Sequence, residues 1–151
     1  MKNRFLIYAI GTGLGSGYAP IAPGTAGSLL ALILILLFPL DSVSWLLISI
    51  LVFSAGVWTG TKIEKDKGED PGIVVIDEMV GQWLAILFLP RSWITYLLGF
   101  VLFRVFDIYK PYPINKSQKL KAGWGIMIDD VIAGIYANII IQFIYVSPLI
   151  S

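Results

Sequence analysis

The chain has 151 residues, of which 57% are hydrophobic and 14% charged, and its 11 basic and 10 acidic residues leave a net charge of +1. This mixture lies outside the usual range of soluble globular domains and carries no basic surplus of the kind that marks nucleic-acid binding. Cysteine and histidine are both absent, which excludes disulfides, thiolate catalysis and imidazole chemistry and leaves hydrolysis to carboxylates, a metal ion and a few Lys, Arg, Ser and Thr side chains.

The first apolar stretch, Phe5 to Ile10, is too short for a signal peptide and is broken by the glycines between Gly11 and Gly17. Five longer runs then predict helices: Ala26 to Leu40, Trp45 to Thr61, Ile73 to Leu89, Trp93 to Phe106 and Ile126 to Val146. Only the last reaches the roughly 20 residues of a full span, so the others need extra polar turns or a locally thinned bilayer. A soluble bundle would need more polar outer faces than these runs offer. The fold expected is all-α: a multi-helical integral membrane bundle of about five apolar helices, forming one domain over residues 1–151.

The connecting segments give this bundle a sidedness. With alternating crossings and the N-terminus inside, Lys2, Arg4, Lys62, Lys65, Lys67, Arg104, Lys110, Lys116, Lys119 and Lys121 fall inside and Arg91 alone outside. That asymmetry follows the positive-inside rule, with Trp45, Trp93 and Trp124 at the expected boundaries. Runs three and four are also compatible with a re-entrant hairpin around Pro90. On this map nine of the ten acids lie on the cytoplasmic side, and only Asp41 lies outside.

Two segments echo one another: Ile76-Asp77-Glu78-Met79-Val80-Gly81 and Ile128-Asp129-Asp130-Val131-Ile132-Ala133. Each sets paired acids in the opening turns of an apolar helix. The helix dipole favours carboxylates there, but it does not call for four of them on greasy helices. Gly81 and Gly134, one turn beyond Asp77 and Asp130, suit close backbone approach. Clustered carboxylates need a counter-charge, and an all-oxygen ligand set points to Mg²⁺. Arg104 and Asp107 share a helix face, Pro111 and Pro113 end that helix, and Thr25 or Ser28 is placed to cap a helix after a Gly- and Pro-rich loop. The charged stretch Lys62 to Gly72 reads as a solvated loop, with Asp70 near the next acidic pair.

Together, Ala19-Pro20-Ile21-Ala22-Pro23-Gly24-Thr25-Ala26-Gly27-Ser28, the Ile76-Asp77-Glu78 turn, the segment Phe103 to Pro113 and the segment Gly123 to Gly134 resemble the phosphatidylglycerophosphatase A family, in the expected order and over nearly the whole chain. The resemblance implies Mg²⁺-dependent removal of the terminal phosphate of phosphatidylglycerol phosphate at the bacterial cytoplasmic membrane, with the site facing the cytoplasm. It implies roles for Asp77, Glu78, Asp107, Asp129 and Asp130, and more weakly for Thr25, Arg104 and Lys110 as substrate-binding residues. In the mechanism this suggests, Asp77, Asp107, Asp129 and Asp130 hold the metal and Glu78 accepts a proton from water. Arg104 and Lys110 offset phosphate charge. The competing class is a small ion-coupled transporter, whose acids would lie near mid-membrane where helices break.

Overall fold

The computed structural model describes residues 2–147, and the described residues form helices and loops with no strand. The helices are α1 (Lys2–Gly11), α2 (Pro23–Leu37), α3 (Ser42–Lys67), α4 (Ile76–Ile86), α5 (Trp93–Tyr109), α6 (Ile114–Ser117) and α7 (Gly123–Val146), with one 3-10 turn at Ser16–Tyr18. Residues 1 and 148–151 of the expected domain lie outside the described part.

Local chemistry explains where these helices begin and end. Pro23 opens α2 at a position where its missing N–H costs nothing, after Ala22 in the left-handed region rather than after a capping side chain. Neither Thr25 nor Ser28 caps the helix; the Ser28 hydroxyl donates back to the Gly24 carbonyl at 3.0 Å. Asp41 caps α3 by accepting from the Val43 and Ser44 N–H groups at 2.9 and 3.0 Å, and the Ser44 hydroxyl helps hold its carboxyl below the usual range. α3 then runs six residues past the apolar stretch, to Lys67. The Lys62–Lys67 segment is therefore helix, because its Lys and Glu residues are good helix formers and Gly68, at φ 98°, supplies the stop. Pro111 follows the end of α5 as expected.

α4 is the centre of the bundle. It packs against α2, α3, α5 and α7, and nine of its eleven residues are buried. Its partners meet it through small residues. A Cβ on Gly134 would collide with the backbone of Gly81, and one on Gly81 would stand 2.7 Å from the Asp130 carbonyl oxygen, so α4 and α7 touch backbone to backbone. The outer faces of α2, α3, α5 and α7 remain apolar and exposed, at Ile33, Leu51, Val101 and Phe143 for example. That is an outer surface suited to lipid rather than water.

Two expectations change. Among the described residues, only α3 and α7 are long and apolar enough to cross a membrane, with α2 a shorter apolar helix. α4 has 11 residues, roughly 16 Å at 1.5 Å each, since Leu87 turns extended and Phe88 takes φ 59°. Trp45 is not interfacial: it is buried against Trp83 at 5.1 Å between ring centroids, whereas Trp93 and Trp124 are exposed. The loops assigned to one side do gather at one end of the bundle. Arg91 donates to the Leu40 carbonyl, and Ser92 and Thr95 meet the Tyr145 hydroxyl at 3.1 and 2.6 Å.

Candidate active site

At the opposite end, three helices deliver five acids to one place. Asp77 and Glu78 occupy the first turn of α4, and Asp107 closes α5. Because α7 starts at Gly123 rather than Ile126, Asp129 and Asp130 sit in its second turn. The dipole acts mainly on the first turn, so it does not account for that pair. Asp77, Asp107, Asp129 and Asp130 are all buried, at 2–9% exposure.

One carboxylate oxygen from each of Asp77, Glu78 and Asp130 lies within 4.8 Å of the other two. Asp77 Oδ1, Glu78 Oε2 and Asp130 Oδ2 are buried without a hydrogen-bond partner among the described residues. Three converging carboxylates, each with an unpartnered buried oxygen, are a poor structural choice, because a buried charge without a partner is strongly destabilising. The donor set is hard oxygen throughout, and it fits a divalent cation such as Mg²⁺.

The other two acids are already engaged. Arg104 Nη1 donates to Asp107 Oδ2 at 2.6 Å, and Lys110 Nζ donates to Asp129 Oδ2 at 2.6 Å while lying 3.7 Å from Asp107 Oδ1. Asp129 Oδ1 accepts from the Asp130 N–H at 3.0 Å. The geometry thus groups Glu78, rather than Asp107 or Asp129, with Asp77 and Asp130. Lys110 reaches Asp129 because it caps α5 in the left-handed region, at φ 45°. Burial alone would lower the pKa of its ammonium, but the hydrogen bond and charge of Asp129, with the charges of Asp107 and Asp130, outweigh that and raise it.

The glycine-rich loop belongs to the same structure. Gly11 accepts from the Val75 N–H at 3.0 Å, and a Cβ on Gly17 would strike the Ile73 carbonyl, so the loop lies directly under the chain leading into Asp77. A Cβ on Gly24 would collide with Glu78 Oε1 and stand 3.0 and 3.2 Å from the two terminal nitrogens of Arg104. The first turn of α2, with Thr25 half-buried in it, therefore borders the acids and the guanidinium. On the solvent side a cleft of about 440 Å³ opens onto Asp129, lined by Asp70, Glu64, Lys119, Lys121 and Gly125 among others. Asp70 is thus near the site, as its position in the sequence suggested.

The arrangement offers a divalent-cation site flanked by two fixed cations and a helix N-terminus, a setting for a phosphate ester. A model of the family described as Phosphatidylglycerophosphatase A matches residues 9–145. The chain belongs to the phosphatidylglycerophosphatase A family. It is 39% identical to the phosphatidylglycerophosphatase A of Escherichia coli K12 over 150 residues, covering 95% of this chain and 85% of that one. The phosphatidylglycerophosphatase A of Haemophilus influenzae is 44% identical over 140 residues, covering 89% and 86%. A Bacteroides thetaiotaomicron protein provisionally named a phosphatidylinositol-3-phosphatase is 47% identical over 149 residues, covering 93% and 94%. No solved structure matches the chain at a significant level. Membership in the phosphatidylglycerophosphatase A family favours an enzyme over the ion-coupled transporter. One residue of the site region went unnoticed in the sequence: Gln82, an amide buried one turn beyond Glu78. Its only signal was an isolated polar residue in an apolar run.

Proposed function

We propose that this chain is a lipid phosphomonoesterase that removes the terminal phosphate of phosphatidylglycerophosphate to give phosphatidylglycerol. The observation that carries the reading is the convergence of Asp77, Glu78 and Asp130 within 4.8 Å beside two partly buried ion pairs. Asp77, Glu78 and Asp130 are the proposed ligands of Mg²⁺, with Asp107 and Asp129 holding Arg104 and Lys110 in position and remaining available as further ligands. A cation bound there supplies charge for the phosphate and lowers the pKa of a water molecule.

The protein's own groups do the rest. Arg104 and Lys110 face the equatorial phosphate oxygens, where charge builds in the transition state. The N–H groups in the first turn of α2, around Thr25, add partial positive charge on another side. Glu78 is the proposed proton acceptor, since no histidine exists for that role. Water oxygen bonds to phosphorus as the ester P–O bond breaks, and the glycerol oxygen leaves with a proton.

The chain acts as a single domain, a multi-pass protein of the bacterial cytoplasmic membrane with its site facing the cytoplasm. Supporting this are the one-sided placement of Lys and Arg, the two helices of spanning length and the exposed apolar outer faces. The test is phosphate release by purified protein from vesicles containing phosphatidylglycerophosphate or phosphatidylinositol 3-phosphate, with Mg²⁺ or with EDTA. Release from the first lipid only when Mg²⁺ is present is the expected result. No release from it, or equal release in EDTA, would overturn the reading. Faster release from the inositol lipid would transfer the substrate assignment to that headgroup.

A further inference from the structure

Just beyond the carboxylates, towards the middle of the bundle, lies a polar side chain with no part in the scheme above. Gln82 is completely buried, and neither its Oε1 nor its Nε2 has a partner among the described residues. Each unpaired buried polar atom is a loss to folding, and an apolar side chain of the same length would avoid both losses. A protein keeps such a group when it is used in another state of the site.

Its position indicates which one. Gln82 follows Glu78 by four residues, so the two share a face of α4, and side chains on a helix lean back towards the preceding turn. The amide lies against α5 beside Gly99, where a Cβ would strike Ile86 and stand in ordinary contact, 3.6 Å, with Gln82 Nε2. Glu78 Oε2 and Arg104 Nε are also buried without partners, and these two side chains meet over Gly24. The unpaired groups are complementary. Glu78 lacks a donor, Arg104 Nε lacks an acceptor, and the Gln82 amide supplies one of each.

We propose that Gln82 is a positioning residue whose Nε2 donates to Glu78 Oε2 and whose Oε1 accepts from Arg104 Nε once a divalent cation is in place. The amide then ties the carboxylate to the guanidinium, so that both are held in register on opposite sides of the phosphate. Being neutral, it does this without changing the charge of the cluster. The bridge transfers no proton, and it rests on the phosphatase reading above.

Gln82→Met tests it, because Met keeps the length and volume while removing both polar atoms. The cation-free variant should melt at or above the wild-type temperature. Its kcat for Mg²⁺-dependent phosphate release should fall about 10- to 100-fold, and its Mn²⁺ affinity, read by electron paramagnetic resonance without substrate, should weaken about tenfold. A Gln82→Met enzyme within about twofold of wild type in kcat, or with unchanged Mn²⁺ affinity, would overturn the bridge. So would a fall of more than about 5 °C in its melting temperature, which would show an amide already paired in the resting fold. Wild-type protein inactive on the lipid would instead overturn the phosphatase reading itself.

Discussion

Gly134→Ala joins packing to chemistry in a single methyl group. The added Cβ would collide with the Gly81 carbonyl oxygen and stand 3.1 and 3.2 Å from the Gly81 carbonyl carbon and Cα, all of them backbone atoms of α4 that no rotamer change can move. Restoring ordinary contact requires α4 and α7 to part by roughly 1 Å, since carbon contacts are best near 3.5–4.0 Å. Overpacking of this kind costs about 1–3 kcal/mol, and at about 2–4 °C per kcal/mol for a chain of this size the melting temperature should fall by about 2–12 °C. The functional cost should be larger in proportion. Asp77 and Glu78 ride on α4 and Asp130 on α7, so the same displacement spreads oxygens that now lie within 4.8 Å. A misplacement of about 1 Å can lower a rate on the order of a hundredfold. The assay is kcat for phosphate release at saturating Mg²⁺, with Ile135→Ala, at an exposed position on the same helix, as the control. A Gly134→Ala enzyme with wild-type kcat and melting temperature would refute the claim that this backbone contact sets the site.

Mg²⁺ should raise the melting temperature of the wild-type protein by mass action, and Asp130→Asn should abolish both that rise and activity; a rise that survives in the variant would remove Asp130 from the ligand set. Lys110→Met should destabilise the protein at pH 6.5 and should still do so at pH 9. The raised pKa of Lys110 keeps its contribution complete below the ordinary lysine value of 10.5, to be lost only as pH rises through the folded value; a cost seen at pH 6.5 and gone by pH 9 would contradict this. In the cysteine-free chain, single cysteines at Lys67 and Lys119 should be labelled from the cytoplasmic side and one at Ser42 from the other; labelling of Lys67 and Ser42 from the same side would remove α3 as a crossing.

Much of this was legible in the chain because it depends on local chemistry. Pro111 marks a helix end by its missing N–H, and paired acids stand out against an apolar background. The Gly81–Gly134 contact was legible too, because both glycines follow an acid by one turn. What was not legible depends on distant partners. Hydropathy does not separate burial in protein from burial in lipid, so α4, apolar because other helices surround it, reads like a span. The charges from Lys62 to Lys67 suggested a loop, although nothing in their backbone preferences ends a helix. The Lys110–Asp129 bond joins residues 19 apart and exists only because Lys110 adopts a left-handed cap. Gln82 reveals nothing until its burial without a partner among the described residues is seen.

The shortness of α4 also bears on how the protein is assembled. A segment of 11 helical residues with Asp77 and Glu78 in its first turn is too short to span about 30 Å of hydrocarbon, and its charges carry a penalty of several kcal/mol there. A membrane would not retain it alone. It must be sheltered by its neighbours, α2 and α3 made before it and α5 and α7 after. The last of these also brings Asp129 and Asp130. Completion of the acid cluster and shelter of its central helix therefore coincide, and a chain truncated before α7 would lose its hold on α4 along with two of the five clustered acids.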